Sequence, residues 1–203
     1  MTLVEERAPE GQAAGEMSKA RRAMVDSQLR VSGVNDPAIL AAFAAVKRED
    51  FVPADRRVVA YADRAVPLGD GAVLAPALTH GQMLTAAEVT GTDSVLVIGT
   101  PGTYLAALAA ELARCVTVAA PDGDWTGDAP FSLVLIDGAV EQVPARLAAV
   151  LAEDGRVVTG LVERGVTPLA MGRAVGGEIA LTSLGEADFA VLPAFAQPKT
   201  WSF

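Results

Sequence analysis

The sequence predicts an α/β protein in which a layer of helices precedes a mostly parallel sheet that ends in an antiparallel hairpin. Three observations carry that expectation. Short apolar runs at Val95–Ile98, Cys115–Ala120, Phe131–Ile136 and Arg156–Val162 are separated by helical or turn-forming segments, the pattern of parallel strands joined by crossovers. The stretch Val95-Leu-Val-Ile-Gly-Thr-Pro-Gly-Thr-Tyr104 reads as a buried strand that passes through a glycine-containing loop into a helix, where an α/β sheet usually meets its cofactor. Near the C-terminus, Gly176-Gly177 separates two short apolar runs and signals a hairpin.

Residues 1–17 are rich in Glu, Ala, Gly and Gln without a sustained apolar period, so they are expected as a flexible arm. Residues 18–203 are expected as one domain, with 18–90 an N-terminal helical layer and 91–203 the sheet. A helix from Ser18 places Met24, Val25 and Leu29 on one face. Asp36 is a natural N-cap, Pro37 suits the first helical position, and Ile39, Leu40, Phe43 and Val46 follow at helical spacing. Thr79-His-Gly-Gln82 has the form of a capping box, which predicts a helix from about His80 through Met83, Leu84 and Ala87 to Gly91. A helix from Tyr104 to Ala113 follows the glycine loop, with Thr103 as its N-cap. Another is expected from about Pro144 to Leu151, before a turn at Asp154-Gly155. From Leu169 onward, antiparallel strands finish the sheet, with Pro193 and Pro198 beyond them.

Composition narrows the function classes. A chain of 203 residues with 51% hydrophobic content can bury a core without disulfides or metal. No apolar run approaches the roughly 20 residues of a membrane span, and no signal-peptide pattern opens the chain, so a cytoplasmic location is expected. The formal charge of −9 is spread without an acidic block, which argues against nucleic acid or a membrane surface as partner. The single cysteine, Cys115, starts an apolar strand and is expected as a buried thiol. The single histidine, His80, leaves no basis for a metal centre or a Ser-His-Asp site, and in the first turn of a helix it is expected at the surface.

Four motifs and their order carry a resemblance: Arg22-x-Met24-Val25-x-x-Gln28-Leu29, Val46-x-Arg48-Glu49-x-Phe51-Val52-Pro53, Ala60-Tyr61-x-Asp63-x-x-x-Pro67-Leu68-Gly69 and Val95-Leu-x-Ile-Gly99. Asp122-Gly123-Asp124 with Ala129-Pro130-Phe131, Leu135-Ile-Asp-Gly-Ala139 and Gly155-Arg-Val-Val158 extend it. Over residues 21–203 the chain resembles the protein-L-isoaspartate O-methyltransferase family. The resemblance implies a Rossmann-like sheet, S-adenosylmethionine as cofactor with no metal, and isoaspartyl-containing proteins or peptides as substrate. The candidate cofactor contacts are Gly99, Thr100 and Gly102 in the loop that aligns with the family's, with Asp122 as the nearest carboxylate past it and Asp137 at the end of an apolar strand; the candidate substrate contacts are Asp63, which matches the family's Tyr-x-Asp, and Thr79.

The chain departs from the family pattern at definite positions. The family's first loop has the form acid-x-Gly-x-Gly-x-Gly; here Val97 stands at the acidic position, Pro101 and Thr103 replace the second and third glycines, and Gly102 is displaced by one. The count to the usual ribose-binding acid, about 20 residues past the loop, reaches Ala119 and Ala120, with Asp122 the nearest carboxylate. Leu74-Ala75-Pro76-Ala77 lacks the serine of the family's substrate segment, leaving Thr79 as the nearest hydroxyl. Asp137-Gly138 at the end of a strand suits either a ligand contact or a turn.

Only residues 121–130 separate two strands, where the family has a helix, a further strand and a loop. Parallel strands need a crossover of about a dozen residues or more. Fully extended, ten residues reach roughly 33 Å, so the segment is expected to cross the sheet as a loop over or near the ground where adenosine would lie, leaving that pocket filled or malformed. Two functions follow as expectations: a methyltransferase acting on isoaspartyl carboxylates, or a non-catalytic relative that keeps the fold as an interaction or structural module. The shortened sheet leaves an edge strand through which a homo-oligomer can form.

Overall fold

The computed structural model describes residues 10–100 and 102–197; Pro101, Pro198 and the first nine residues of the expected arm lie outside the described residues. The first helix, α1 (Glu10–Met24), begins eight residues before Ser18, so most of the second half of the expected arm is helical. It runs on through a π-helical turn (Val25–Leu29) and a 3₁₀ turn (Arg30–Ser32), and ends where Gly33 takes φ +92°. Helix α2 (Pro37–Ala45) starts as its sequence dictates: Asp36 Oδ1 accepts from the amides of Ala38 and Ile39 at 2.7 and 3.1 Å.

The layer expected to be helical also contains a two-stranded hairpin, β1 (Val66–Gly69) and β2 (Ala72–Leu74). Gly69, Asp70 and Gly71 all have positive φ at its tip, which two glycines make accessible. Helix α3 (Ala77–Ala87) begins after Pro76, three residues ahead of the expected start. The capping box is therefore not made. Thr79 instead donates to the Asp188 carbonyl at 3.2 Å and Gln82 to that of Glu186 at 3.4 Å, tying α3 to the C-terminal segment.

The sheet contains β3 (Ser94–Ile98), β4 (Cys115–Ala119), β5 (Phe131–Val140), β6 (Leu151–Leu161), β7 (Leu169–Val175) and β8 (Glu178–Gly185), in the order β4-β3-β5-β6-β7-β8. β4, β3, β5 and β6 are parallel, and β6-β7-β8 antiparallel. The Gly176-Gly177 hairpin forms as expected, both glycines with positive φ. Helix α4 (Tyr104–Ala110) joins β3 to β4, with Thr103 accepting from the Leu105 amide at 3.3 Å as its cap. The helix expected over Pro144–Leu151 is reduced to one turn, α5 (Leu147–Val150), because Leu151 already pairs with Phe131 as β6 begins. Asp137-Gly138 makes no terminal turn. β5 runs past it to Val140, and Gly138 lies so close to the C-terminal segment that a Cβ there would come 2.5 Å from Leu192 Cγ.

Alternation along the strands divides the core. Val95, Val97, Leu133, Leu135 and Val158 face the N-terminal layer and α4, while Leu96, Ile98, Val134, Ile136 and Val157 face the other way. A parallel sheet needs cover on both faces. On the second face α5, Phe195 and Trp125 supply it, and Trp125 comes from the short segment 121–130.

That segment does cross as expected, since β4 and β5 flank β3 on opposite sides. It is fastened at several points. Trp125 Nε1 donates to the Ala120 carbonyl at 3.0 Å, Thr117 donates to Asp128 at 2.9 Å, and Arg146 donates to the carbonyls of Gly123 and Pro121 at 2.8 and 2.6 Å. β4 is an edge strand, and Cys115 on it is exposed, not buried: with no strand outside it among the described residues, the apolar run is covered on one side only.

Candidate functional site

The carboxyl ends of β3 and β5 meet the N-terminal layer around a cavity of about 320 Å³. Its wall takes Thr100, Gly102, Thr103 and Tyr104 from the loop after β3, Asp137 from β5, Asp50 to Pro53 from the turn after α2, and Leu68, Val73 and Leu74 from the hairpin. Gly99 lies directly behind it, its amide donating to the Ala119 carbonyl at 3.0 Å and its missing Cβ only 3.2 Å from Asp137 Cβ. Four of the five expected cofactor residues, Gly99, Thr100, Gly102 and Asp137, are thus brought together.

Asp137 is the electrostatic centre of this site. Its Oδ1 accepts from His80 Nε2 at 2.9 Å, and its Oδ2 accepts from the Thr103 hydroxyl. Burial works to raise the pKa of this carboxyl. The charge and hydrogen bond of His80, the Thr103 hydroxyl and the nearby Arg48 outweigh it and hold the pKa below the ordinary carboxylate value.

His80, expected at the surface, is fully buried, and its Nδ1 has no partner among the described residues. The signal was the stripe Ala77, His80, Leu84, Ala87, which places the imidazole on the apolar face of α3. Tyr104, whose ring centroid lies 5.8 Å from that of His80, is buried with its hydroxyl unpartnered. Burial pushes its pKa up. Arg48, also fully buried, lies with its guanidinium carbon 5.1 Å from the centre of the Tyr104 ring. It donates to the carbonyls of Ala60 and Ala75 at 2.7 and 2.6 Å, and desolvation lowers its pKa to about 10 against the pull of Tyr104 and Asp137. Arg48 thereby braces the N-terminal layer and packs it against the start of α4.

The remaining expected residues lie elsewhere. Asp122 is exposed and lines a second cavity of about 340 Å³ with Pro121, Gln142, Pro144, Arg146 and Phe195, built on the loops that follow β4 and β5. Asp63 and Thr79 share a third, of about 550 Å³, with Arg64, Gln82, Glu186 and Asp188. Among the described residues no group of three or more His, Cys, Asp or Glu is placed to hold a metal ion.

A family model described as Protein-L-isoaspartate(D-aspartate) O-methyltransferase matches residues 19–120, ending as β4 gives way to the short segment. The chain belongs to the protein-L-isoaspartate O-methyltransferase family. A protein-L-isoaspartate O-methyltransferase of Koribacter versatilis is 31% identical over 199 residues, which cover 85% of this chain and 90% of that protein. One of Roseiflexus castenholzii is 35% identical over 170 residues, 70% of this chain and 78% of that protein. Among solved structures, a protein-L-isoaspartate O-methyltransferase superposes with a TM-score of 0.72 at 17% identity over 85% of this chain and 65% of its own. A structure described as a Plasmodium falciparum beta-aspartate methyltransferase in complex with S-adenosyl-L-homocysteine superposes with a TM-score of 0.68 at 14% identity, over 86% of this chain and 98% of that one. These likenesses establish the Rossmann-like fold of the family for this chain.

Proposed function

We propose that this chain is an S-adenosylmethionine-dependent methyltransferase acting on isoaspartyl carboxylates of proteins or peptides, in keeping with its family. The observation that carries the reading is the gathering of Thr100, Gly102, Thr103 and Asp137 where β3 ends beside β5, closed over by Asp50 to Pro53. These residues fit the amino-acid end of such a cofactor: the Thr100 hydroxyl and a loop amide for a carboxylate, Asp137 and Asp50 for a cation. Asp122, on the neighbouring cavity after β4, is the candidate contact for the nucleoside end. When bound, S-adenosylmethionine supplies a methyl group already activated on a sulfonium. A substrate carboxylate is likewise ionised, so the chain's task is placement more than proton transfer. The cavity that joins Asp63 and Thr79 is the proposed substrate side, with Arg64 as its cation. We infer the cytoplasm as the place of action. No helix among the described residues is long and apolar enough to cross a membrane.

One observation favours the second reading, a non-catalytic relative. Asp122 and Asp137 line separate cavities with no wall residue in common, and each cavity is near the lower end of the ~300–1,000 Å³ usual for small-molecule sites. Arg146 holds segment 121–130 in its crossing path through the carbonyls of Gly123 and Pro121. Calorimetric titration with S-adenosylhomocysteine decides between the two. Saturable binding, followed by methyl transfer to an isoaspartyl peptide, is the expected result. Absence of heat at two temperatures would leave the interaction module.

A further inference from the structure

Val97 stands where the family's first loop begins with an acid, yet the loop after β3 does not lack a carboxylate beside it. Ile98 pairs with Ile136 across the sheet, so the next positions, Gly99 and Asp137, are neighbours, and Asp137 Oδ2 would lie 3.9 Å from a Cβ built on Gly99. The Asp137 side chain is 16% exposed, and the residue forms part of the cavity wall. Its two oxygens are held from two directions: Thr103 at the start of α4 and His80 on α3. An ionised carboxylate only accepts hydrogen bonds, so His80 Nε2 must carry the hydrogen. With one donor on each oxygen the carboxylate plane is fixed, and of its roughly four acceptor sites about two stay free.

We propose that His80 is a positioning residue that holds Asp137 as the anionic wall for the cationic end of the ligand, the ammonium or sulfonium of S-adenosylmethionine. The acid missing from β3 is thereby supplied from β5. This inference rests on the cofactor reading above. The geometry argues against a merely space-filling imidazole. A buried polar ring with one nitrogen unpartnered is a costly way to fill an apolar position, and its other nitrogen is spent on the one carboxylate of β5 that reaches the cavity. Of the other charged groups, Arg48 is buried against Tyr104 with two of its three nitrogens on carbonyls, its charge adding to that of His80 on Asp137, and Asp50 adds a second carboxylate to the wall.

The test uses the full chain and its single histidine. Binding of S-adenosylmethionine is measured by calorimetry for the wild type, His80→Ala, His80→Gln and Asp137→Asn, together with each melting temperature. ¹⁵N-histidine labelling gives one imidazole to follow. Removing an orienting partner typically weakens binding ~10–100-fold, as loss of the hydrogen-bond partner behind a metal ligand does, and that loss is expected for His80→Ala. His80→Gln, whose side-chain amide can donate near the Nε2 position, is expected to recover most of it. The wild-type imidazole resonances are expected to report Nε2–H and to move in Asp137→Asn. Equal affinity in wild type and His80→Ala, with only the melting temperature lowered, would overturn the positioning role. Absence of binding by the wild type would instead remove the cofactor reading itself.

Discussion

The guanidinium carbon of Arg146 lies 3.6 Å from the centre of the Trp125 ring, and the same guanidinium donates to two carbonyls of the segment that carries the tryptophan. This stack covers the second face of the sheet where the segment crosses it. Trp125 is 3% exposed and packs with Leu96, Ile98, Ile136 and Phe195 over a face that a parallel sheet cannot leave wet. Trp125→Ala should therefore cost ~3–5 kcal/mol, as large aromatic truncations in cores do. Arg146→Ala should cost less, since a partly exposed cation–π contact is worth ~0.5–2 kcal/mol. Denaturant unfolding measures both. A Trp125→Ala loss under about 1 kcal/mol would mean that the crossing segment is only draped over the sheet.

Asp93 and Arg156 form an ion pair at the sheet's other end. Arg156 donates to both Asp93 oxygens at 3.0 and 2.9 Å, and Ser132 and the Thr90 amide add bonds at 2.6 and 2.8 Å. Burial alone would raise the Asp93 pKa, but Arg156, Ser132 and Thr90 hold it far below the carboxylate range. A folded-state pKa below the unfolded ~3.9 contributes stability that is fully present above that value and is lost as pH falls from there toward the folded pKa. Unfolding free energy should therefore decline as pH drops below about 4, and Asp93→Asn should flatten that decline. The variant leaves Arg156 facing an amide, so a cost of ~3–5 kcal/mol at neutral pH is expected. Urea unfolding of both proteins across this pH range checks it; parallel pH curves would show that Asp93 is not the group responsible.

Much of this fold is legible in the chain because its signals are local. Asp36 and Pro37 start α2 through their own chemistry, Gly176-Gly177 turns a hairpin, and the apolar runs become strands. Where the reading failed, the deciding partner was distant in sequence. Thr79 and Gln82 have the spacing of a capping box, but carbonyls more than a hundred residues away take both side chains. His80 was expected at the surface because its partner, Asp137, lies 57 residues on. Asp137-Gly138 resembles a turn until Leu192 is seen crossing Gly138. The family motifs put Gly99 and Asp137 on a common list, but only the register of β3 against β5 makes them neighbours.

Cys115 provides a direct check on the edge position of β4. Its thiol, 3.4 Å from the Ser94 hydroxyl, is exposed, and no disulfide partner exists in the chain. A disulfide-exchange reagent should titrate the whole cysteine in the folded protein, at a rate that denaturant raises only modestly. Labelling that waits for unfolding would show β4 covered in solution.

A covered β4 has a natural candidate, a second copy of the chain. The strand sequence Cys-Val-Thr-Val-Ala carries no charge and no proline, the usual protections of an edge, and among the described residues no strand pairs with its outer backbone groups. Antiparallel pairing of two such edges joins the sheets of two copies without any change of fold. We expect sedimentation velocity to show self-association that strengthens with concentration, and Val118→Lys to weaken it. Val118 is 41% exposed, so the lysine can reach water and the melting temperature of the monomer should hardly move. Association unaffected by Val118→Lys would place the interface elsewhere. A wild type that stays monomeric at every concentration would mean that edge pairing does not operate, whatever its sequence invites.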